Sequence, residues 1–185
     1  MLFSKSINYI FLPWNLWLAW IPLWLAMLMV RESKPVKLLV YLAVWLVFFP
    51  NAPYIITDFL HLKPRGDIPF WFDTLLIYSY SFTGLLLGIL SALLVFKKLK
   101  DFFPSVVARG FMLLTMVISG YGIYVGRFLR YNSWNLLTNP IQIIGDTISR
   151  LIHPASYPRT YGVTLMAGIL LSLVFFIFES FLLAD

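Results

Sequence analysis

The chain contains no cysteine and has few charged residues. The lack of cysteine excludes disulfide bonds and thiolate chemistry. Asp, Glu, Lys and Arg make up only 12% of the residues, whereas a soluble domain usually has about a quarter. The chain has only two histidines, which is few for a rich metal centre, and no serine lies in a recognisable nucleophile motif, so no catalytic triad is proposed.

Apolar residues, in contrast, dominate the chain. Hydrophobic residues account for 61% and aromatic residues for 18% of the sequence, and the mean hydropathy is +0.85. This composition is typical of a multi-pass membrane protein with tryptophan and tyrosine near the membrane surfaces. The formal net charge of +6 comes from basic residues in short loops. We therefore expect membrane lipids as partners and no nucleic acid.

Five apolar runs of about 20 residues, the length that crosses a bilayer, predict five transmembrane helices. The first is too long for a signal-peptide core and no small-residue cleavage site follows it, so we expect it to be retained. The sequence predicts an all-α membrane helix bundle forming a single transmembrane domain over residues 1–185. The predicted spans are 9–30, 36–56, 68–96, 105–129 and 161–183.

A different kind of segment precedes the last span. Asn139-Pro140 resembles a helix start, with an N-cap residue followed by proline at the first helical position. Apolar residues then recur at helical spacing, which predicts a short amphipathic helix. It is expected either to lie in the membrane interface or to pack across the mouth of the bundle. The apolar residues are Ile141, Ile144, Ile148 and Leu151.

The second span is broken by the segment Phe49-Pro50-Asn51-Ala52-Pro53-Tyr54. Proline has no N–H and its ring obstructs bonding to the preceding turn, so carbonyl groups are freed. Hydrocarbon cannot satisfy such groups, and we expect Asn51 to face protein rather than lipid. Asn51 is expected either to satisfy these carbonyls or to present its amide to a ligand.

Polar residues gather in the connection that follows this break. Asp58 and His61 are spaced to share a helix face, and Asp73 opens the third span. The three are candidates for acid–base catalysis, because partial burial shifts carboxyl and imidazole pKa values toward neutrality. They are weaker candidates for binding a divalent metal cofactor. The alternative is structural: Asp58 caps a helix or pairs with an arginine.

A second polar group follows the fourth span. Arg127 and Arg130 are expected to share a helix face and to clamp a phosphate or carboxylate, because guanidinium groups bind oxyanions through two hydrogen bonds. Trp134 is expected at the rim of this ligand site. With five spans, both polar connections lie on one membrane face, and a single pocket with Asn51 at its floor is predicted. The alternative is a structural network of ion pairs.

The spans also contain glycines at helical spacing and one acidic residue. Gly84 and Gly88, and likewise Gly122 and Gly126, recur every four residues and allow close helix approach. They are expected to serve packing within the chain or contact with a second copy or another protein. Glu179 in the last span is expected to reach the membrane interface by snorkelling.

The polar motifs together resemble a known family. Residues 48–54 with Thr57-Asp58 and His61-Leu62, the stretch Pro69-Phe70-Trp71-Phe72-Asp73, and the stretch 126–130 with Ser133-Trp134 are similar to the signature of a bacterial integral-membrane family. That family is known only as domain of unknown function 1361. The resemblance covers nearly the whole chain. It implies a multi-span inner or plasma membrane protein and no activity.

Three functions are consistent with these features. The first is a non-catalytic accessory or envelope-associated membrane protein. The second is a membrane-embedded enzyme or binder for a phosphate-bearing lipid or envelope precursor, and the third is a small transporter or channel subunit. Whether the protein is an enzyme is left open.

Lys5 precedes the first span and Arg31, Lys34 and Lys37 follow it, which favours the N-terminus outside and the C-terminus inside.

Overall fold

The computed structural model describes residues 9–63 and 69–182, without the side chains of His61 and Leu137. Within these ranges all regular structure is helical, and five helices are long and apolar enough to cross a membrane. The prediction of an all-α membrane helix bundle is confirmed. The five spans are Phe11–Arg31, Pro35–Leu60, Phe70–Leu99, Ser105–Leu129 and Pro158–Leu182.

The chain divides into two compact units, Met1–Val95 and Phe96–Asp185. That both units act as one transmembrane domain stays a prediction. The first unit holds α1 (Phe11–Arg31), α2 (Pro35–Phe48), α3 (Asn51–Tyr54), a 3-10 helix (Ile55–His61) and most of α4 (Phe70–Leu99). The second holds α5 (Ser105–Tyr124), a π-helical turn (Val125–Leu129), α6 (Asn135–Thr138), α7 (Pro140–Ile152), a 3-10 turn (Pro154–Ser156) and α8 (Pro158–Leu182).

In the first unit, α4 packs closely on the break in the second span. A Cβ atom added at Gly84 would lie 2.7 Å from the carbonyl oxygen of Ala52, and one added at Gly88 would lie 3.0 Å from the Ala52 Cβ. Farther along, the Ser81 hydroxyl donates a hydrogen bond of 3.0 Å to the carbonyl of Ile55. These contacts show that α4 runs antiparallel to the second span. Gly84 and Gly88 therefore serve packing within the chain, and contact with a partner through them stays a prediction.

Helix α1 completes the buried apolar cluster of the first unit. The members of this cluster come from α1, the broken second span and α4, so the break is enclosed by protein on two sides. The fully buried Trp45 connects the second span to α4, because its Nε1 donates a hydrogen bond of 3.3 Å to the Ser91 hydroxyl. The apolar cluster consists of Leu12, Ala19, Ala52, Ile55, Ile77 and Leu87.

In the second unit, α5 and α8 are antiparallel and are joined at both ends. Near one end, a Cβ atom at Gly120 would overlap the carbonyl oxygen of Thr164. At the other end, Arg109 Nη2 lies 2.8 Å from Glu179 Oε1. Glu179 is only 8% exposed. Arg109, which is half exposed, pairs with Glu179 from the neighbouring helix, and the expectation that Glu179 reaches the membrane interface stays a prediction.

We predict that Gly120→Ala destabilises the second unit. The new methyl group overlaps backbone atoms that cannot move aside, and such overpacking typically costs about 1–3 kcal/mol. The free energy of unfolding in mixed micelles measures the effect. Gly110→Ala on the same helix is the matched control, because a Cβ atom there meets nothing within 4 Å. Equal stability of the two variants would contradict the close contact of α5 and α8.

We predict that cysteines introduced at Lys63 and Ser156 react together with a membrane-impermeant thiol reagent in intact cells. The native chain has no cysteine, and five crossings place both connections on one side of the membrane. A cysteine at Ser33 should then be protected. Labelling of only one of the first two positions would contradict five spans. Protection of both, with labelling at Ser33, would keep five spans and reverse the orientation.

Candidate functional site

The break in the second span is built by hydrogen bonds that Pro53 redirects. Because Pro53 has no N–H, the carbonyl of Phe49 accepts a hydrogen bond from the N–H of Ala52 instead, at 3.1 Å. That shift removes the regular helical donor of the Phe48 carbonyl. The side-chain amide of Asn51 replaces it, with Nδ2 3.0 Å from the Phe48 oxygen.

The predicted break is therefore confirmed. Helix α2 ends at Phe48, α3 begins at Asn51, and the side chain of Asn51 is half-buried. Of the two uses expected for Asn51, the structure shows the first, satisfaction of a freed carbonyl. Presentation of its amide to a ligand stays a prediction.

Asp58 lies on the 3-10 helix that follows the break. It is 1% exposed, and its Oδ2 accepts a hydrogen bond of 3.2 Å from the Asn15 amide of α1. A carboxylate removed from water needs such donors, because an unpaired buried charge is very unfavourable. The hydrogen bond also fixes the start of α1 against the segment after the break, so Asp58 has a structural role whatever else it does.

Asp73 lies in the first turn of α4, where a negative charge is favoured by the helix dipole. It is 1% exposed, and its Oδ1 has no hydrogen-bond partner among the described residues. Because α4 is antiparallel to the second span, its first turn lies toward the same end of the unit as the 3-10 helix with Asp58. A buried carboxylate oxygen without a donor is unusual. In the first unit, this is the observation that most favours a functional role for a side chain.

The predicted metal site remains untested. The backbone of residue 61 lies one 3-10 turn after Asp58, as expected for a shared face. The side chain of His61, which would be the imidazole ligand, lies outside the described part of the chain. Within the described part, no group of three or more His, Cys, Asp or Glu side chains is arranged to hold a metal ion. Divalent metal binding by Asp58, His61 and Asp73 stays a prediction.

The two arginines after the fourth span are not arranged as expected. Helix α5 continues into the π-helical turn Val125–Leu129, and Arg130 then adopts a left-handed conformation with φ 60° and ψ 30°. The Tyr131 N–H closes this end on the Val125 carbonyl at 3.3 Å. Arg127 lies inside the π turn and Arg130 beyond the helix end. The prediction that they share a helix face was wrong, because the wider turn and the left-handed residue change the direction of the chain.

Trp134 and its neighbours form a local turn. Trp134 is 41% exposed and its carbonyl accepts the Thr138 N–H at 3.2 Å, which begins α6. The Asn132 N–H donates to Asn135 Oδ1 at 2.7 Å. These asparagines therefore hold the loop by bonding nearby backbone and side-chain groups. Ligand binding by Arg127, Arg130 and Trp134 stays a prediction.

A cluster of polar and aromatic side chains around the buried Arg150, which the sequence pattern did not predict, lies where α7 meets the ends of α5 and α8. Arg150 is 9% exposed, and its Nη1 lies 3.1 Å from Asp146 Oδ1 and 2.7 Å from the Asp146 carbonyl oxygen. Its guanidinium carbon lies 5.9 Å from the ring centroid of Tyr124 and 4.8 Å from that of Tyr157. Asp146 and Arg150 are four residues apart on one helix, a spacing that would have predicted their ion pair.

Three tyrosine hydroxyls dock the polar side of α7. Tyr121 donates to Thr147 Oγ1 at 2.9 Å. Tyr131 donates to Asp146 Oδ2 at 2.8 Å, and Tyr161 to the carbonyl of Arg150 at 2.8 Å. With its polar side held inward, α7 presents its apolar residues outward. The interface alternative is thereby favoured over packing across the bundle mouth, since the apolar side chains are left exposed: Ile141, Ile144, Ile148, Leu151 and Ile152.

The start of α7 agrees with the prediction, but the expected cap does not form. The helix begins at Pro140 after Asn139, and Asn139 makes no side-chain hydrogen bond to the first turn. The tyrosine contacts therefore position α7.

These contacts shift the pKa values of the docked groups. The Tyr131 hydroxyl, followed by Arg150, lowers the pKa of Asp146 below its ordinary value of 3.8. Reciprocally, the hydrogen bond to the Asp146 carboxylate raises the pKa of Tyr131. Burial lowers the pKa of Arg150, but its bonds to Tyr124 and Asp146 outweigh burial and the net direction is upward. Asp146 and Arg150 are therefore both charged at neutral pH.

The residues predicted to form one pocket belong to both units. Asn51, Asp58 and Asp73 lie in the first unit, and Arg127, Arg130 and Trp134 lie in the second. The structure brings Asp58 and Asp73 to the same end of their unit. The single pocket assembled from both groups stays a prediction.

Five long apolar helices, with a docked surface helix before the last one, define a multi-pass helical membrane protein. The chain belongs to the family described as Protein of unknown function (DUF1361), whose model matches residues 14–174. The resemblance drawn from the polar motifs is thus confirmed. No curated protein and no solved structure matches the chain.

We predict that the docking of α7 weakens in acid. A lowered carboxyl pKa contributes stability that is fully present above the unfolded value and is lost as the pH falls through the folded value. Protection of residues 140–152 from hydrogen exchange, corrected for the intrinsic exchange rate, should therefore decline below about pH 3.8. In Asp146→Asn, protection should already be reduced at neutral pH and should lose this decline. An unchanged decline in that variant would exclude Asp146 as its cause.

Proposed function

We propose that this protein is a non-catalytic accessory component of its membrane. This proposal is supported by hydrogen bonds within the chain. Polar side chains that resembled a ligand site in the sequence bond other groups of the protein. Asn51 bonds the Phe48 carbonyl, and Asp58 accepts a hydrogen bond from Asn15. These contacts hold the helices together and need no bound substrate.

We further propose that the protein lies in the plasma membrane with its N-terminus outside and its C-terminus inside. The flanks of the first span support this orientation. Lys5 precedes it, whereas Arg31, Lys34 and Lys37 follow it. Basic residues in short loops are retained on the cytoplasmic side.

A second function is favoured by one observation, the unpartnered Oδ1 of Asp73. A buried carboxylate with a free oxygen can accept a proton or hold a cation, as a membrane-embedded enzyme or a binder of a phosphate-bearing envelope precursor would require. The transporter alternative has less support. It rested on the break in the second span, and Asn51 accounts for that break within the chain.

The substitution Asp73→Asn separates the two functions. It keeps the size of the side chain and removes its charge. If the protein is an accessory component, the variant should accumulate and unfold at the same or a higher temperature, because an unpaired buried charge is removed. It should also restore the phenotype of a deletion strain in full. The measurements are size-exclusion profiles, thermal unfolding in detergent and complementation.

The control is Asp101→Asn, the same chemical change at a carboxylate that is 59% exposed. Asp101→Asn is expected to fold and complement like the parent. If Asp73→Asn folds normally but does not complement, the accessory proposal is wrong and the enzyme or binder replaces it.

A further inference from the structure

Helix α1 presents a row of tryptophans on its exposed side. Four of the seven tryptophans of the chain lie on this helix, and each is about half exposed or more, from 51% at Trp20 to 59% at Trp24. The other two are Trp14 and Trp17, whose rings are stacked with centroids 5.3 Å apart. Trp17, Trp20 and Trp24 lie on the side of α1 opposite to the fully buried Ala19. The row is therefore not part of the core of the first unit.

The depth of this row is unusual for a surface that faces lipid. Helix α1 has 21 residues and is therefore about 30 Å long, which matches the thickness of the hydrocarbon core. Trp17, Trp20 and Trp24 lie about 9–20 Å along the helix, in the middle of the core. Tryptophan is favoured near the two membrane surfaces, where its N–H group finds acceptors.

The indole N–H groups of these three tryptophans have no hydrogen-bond acceptor within residues 9–63 and 69–182. Hydrocarbon offers none either, so a polar group is left without a partner if lipid covers the row. Trp45 of the same unit is different, because its N–H group donates to the Ser91 hydroxyl. The row on α1 therefore needs a covering that lipid does not supply.

The exposed face of α2, in the same unit, shows what a lipid-facing surface of this protein looks like. All its exposed large side chains are aliphatic, and such side chains meet acyl chains without leaving a polar group unpaired. They are Val36, Leu39, Val40, Val44 and Val47. The face of α1 differs from that of α2 in residue type, although both belong to membrane spans.

The spacing along α1 fits a second helix. Exposed residues recur at alternating intervals of three and four residues from the residue before the helix to its last turns. This interval is the seam of two parallel helices that cross at about 20°, the commonest geometry of helix pairs in membranes. The residues of the seam are Ile10, Pro13, Trp17, Trp20, Trp24 and Met27.

A second copy of the chain supplies a matching surface. Copies enter a membrane in the same direction, so their α1 helices are parallel, and a two-fold axis along the membrane normal places each tryptophan at the depth of its equivalent. The exposed parts of the four indoles amount to roughly 500 Å² per chain. Two copies would bury about 1,000 Å², which is enough for a specific interface. Facing rings also let the positive N–H edge of one indole meet the negative face of another.

We propose that α1 pairs with α1 of a second copy of this chain through Trp17, Trp20 and Trp24. This surface differs from the glycine positions expected to contact a partner, since Gly84 and Gly88 pack against the second span within the chain. The proposal does not depend on the accessory function, because it involves none of the polar residues on which that function rests.

Cysteine cross-linking of the full-length protein in membranes tests the pairing. The native chain has no cysteine, so each introduced thiol reports one position. Met27→Cys should form a disulfide-linked product of twice the mass on oxidation, because Met27 would face its own equivalent. Met166→Cys is the control, since this methionine is also exposed but lies on α8. Equal cross-linking at both positions would show random collision and overturn the proposal. A Met27→Cys product of another mass would overturn it in favour of a different membrane protein.

Substitution of the row tests the role of the tryptophans. Trp17→Leu, Trp20→Leu and Trp24→Leu, combined in one chain, convert the row into an aliphatic face. Energy transfer between labelled copies in phosphatidylcholine liposomes, measured on dilution with lipid, should show association weakened at least about tenfold. Trp71→Leu is the matched control, because Trp71 is an exposed tryptophan of α4 in the same unit.

With Trp71→Leu, association should equal that of the parent. Equal association of the parent and the triple variant would overturn the proposal, and so would a parent that does not associate, because lipid would then cover the row. If the triple variant does not fold, Trp20→Leu alone and the cysteine pair still decide.

Discussion

The missing N–H of Pro53 determines the hydrogen bonding of the break in the first unit. Hydrocarbon offers backbone groups no partners, so a proline inside a span survives only where the released carbonyl is satisfied by protein. The Ala52 N–H turns to Phe49, and Asn51 supplies the donor that Phe48 loses. Glycines on α4 then bring that helix against the same backbone. The unusual residue types at the break are thus explained by one local requirement.

In the second unit, the requirement is to position a helix that has one polar and one apolar side at the ends of two spans. Helix α7 carries a polar side and an apolar side, and in a soluble protein the apolar side would face inward. Here tyrosine hydroxyls and the Arg150–Asp146 pair hold the polar side against the ends of α5 and α8. The apolar side is left exposed. The same hydrogen bonds connect α7 to both of the spans that it joins.

The buried acids show why position alone does not reveal function. Glu179 and Asp73 are both enclosed, yet Glu179 is neutralised by Arg109, whereas one oxygen of Asp73 has no described donor. Burial of a carboxylate is expensive in either case, and only a partner offsets it. The difference between these residues is therefore more informative than their shared chemistry. It makes Asp73 the residue whose role depends on something beyond the described contacts.

Much of the architecture follows from the sequence, because it depends on local chemistry. The apolar runs, the prolines around Asn51 and the Asn139-Pro140 helix start predicted the spans, the break and the position of α7. The Asn51 contact with Phe48 spans three residues and was one of the two uses expected for that amide.

Only the tertiary structure decided which distant side chains meet. Asn15 and Asp58 are 43 residues apart, and Arg109 and Glu179 are 70 apart. The left-handed conformation of Arg130 was absent from the sequence pattern, and the pattern left the direction of the α7 apolar side open between two alternatives. Pairings of this kind depend on the register and crossing of whole helices, which are set by packing summed over many small contacts. Hydrophobic periodicity determines which segments become helices, but it does not specify which residue on one helix faces which residue on another.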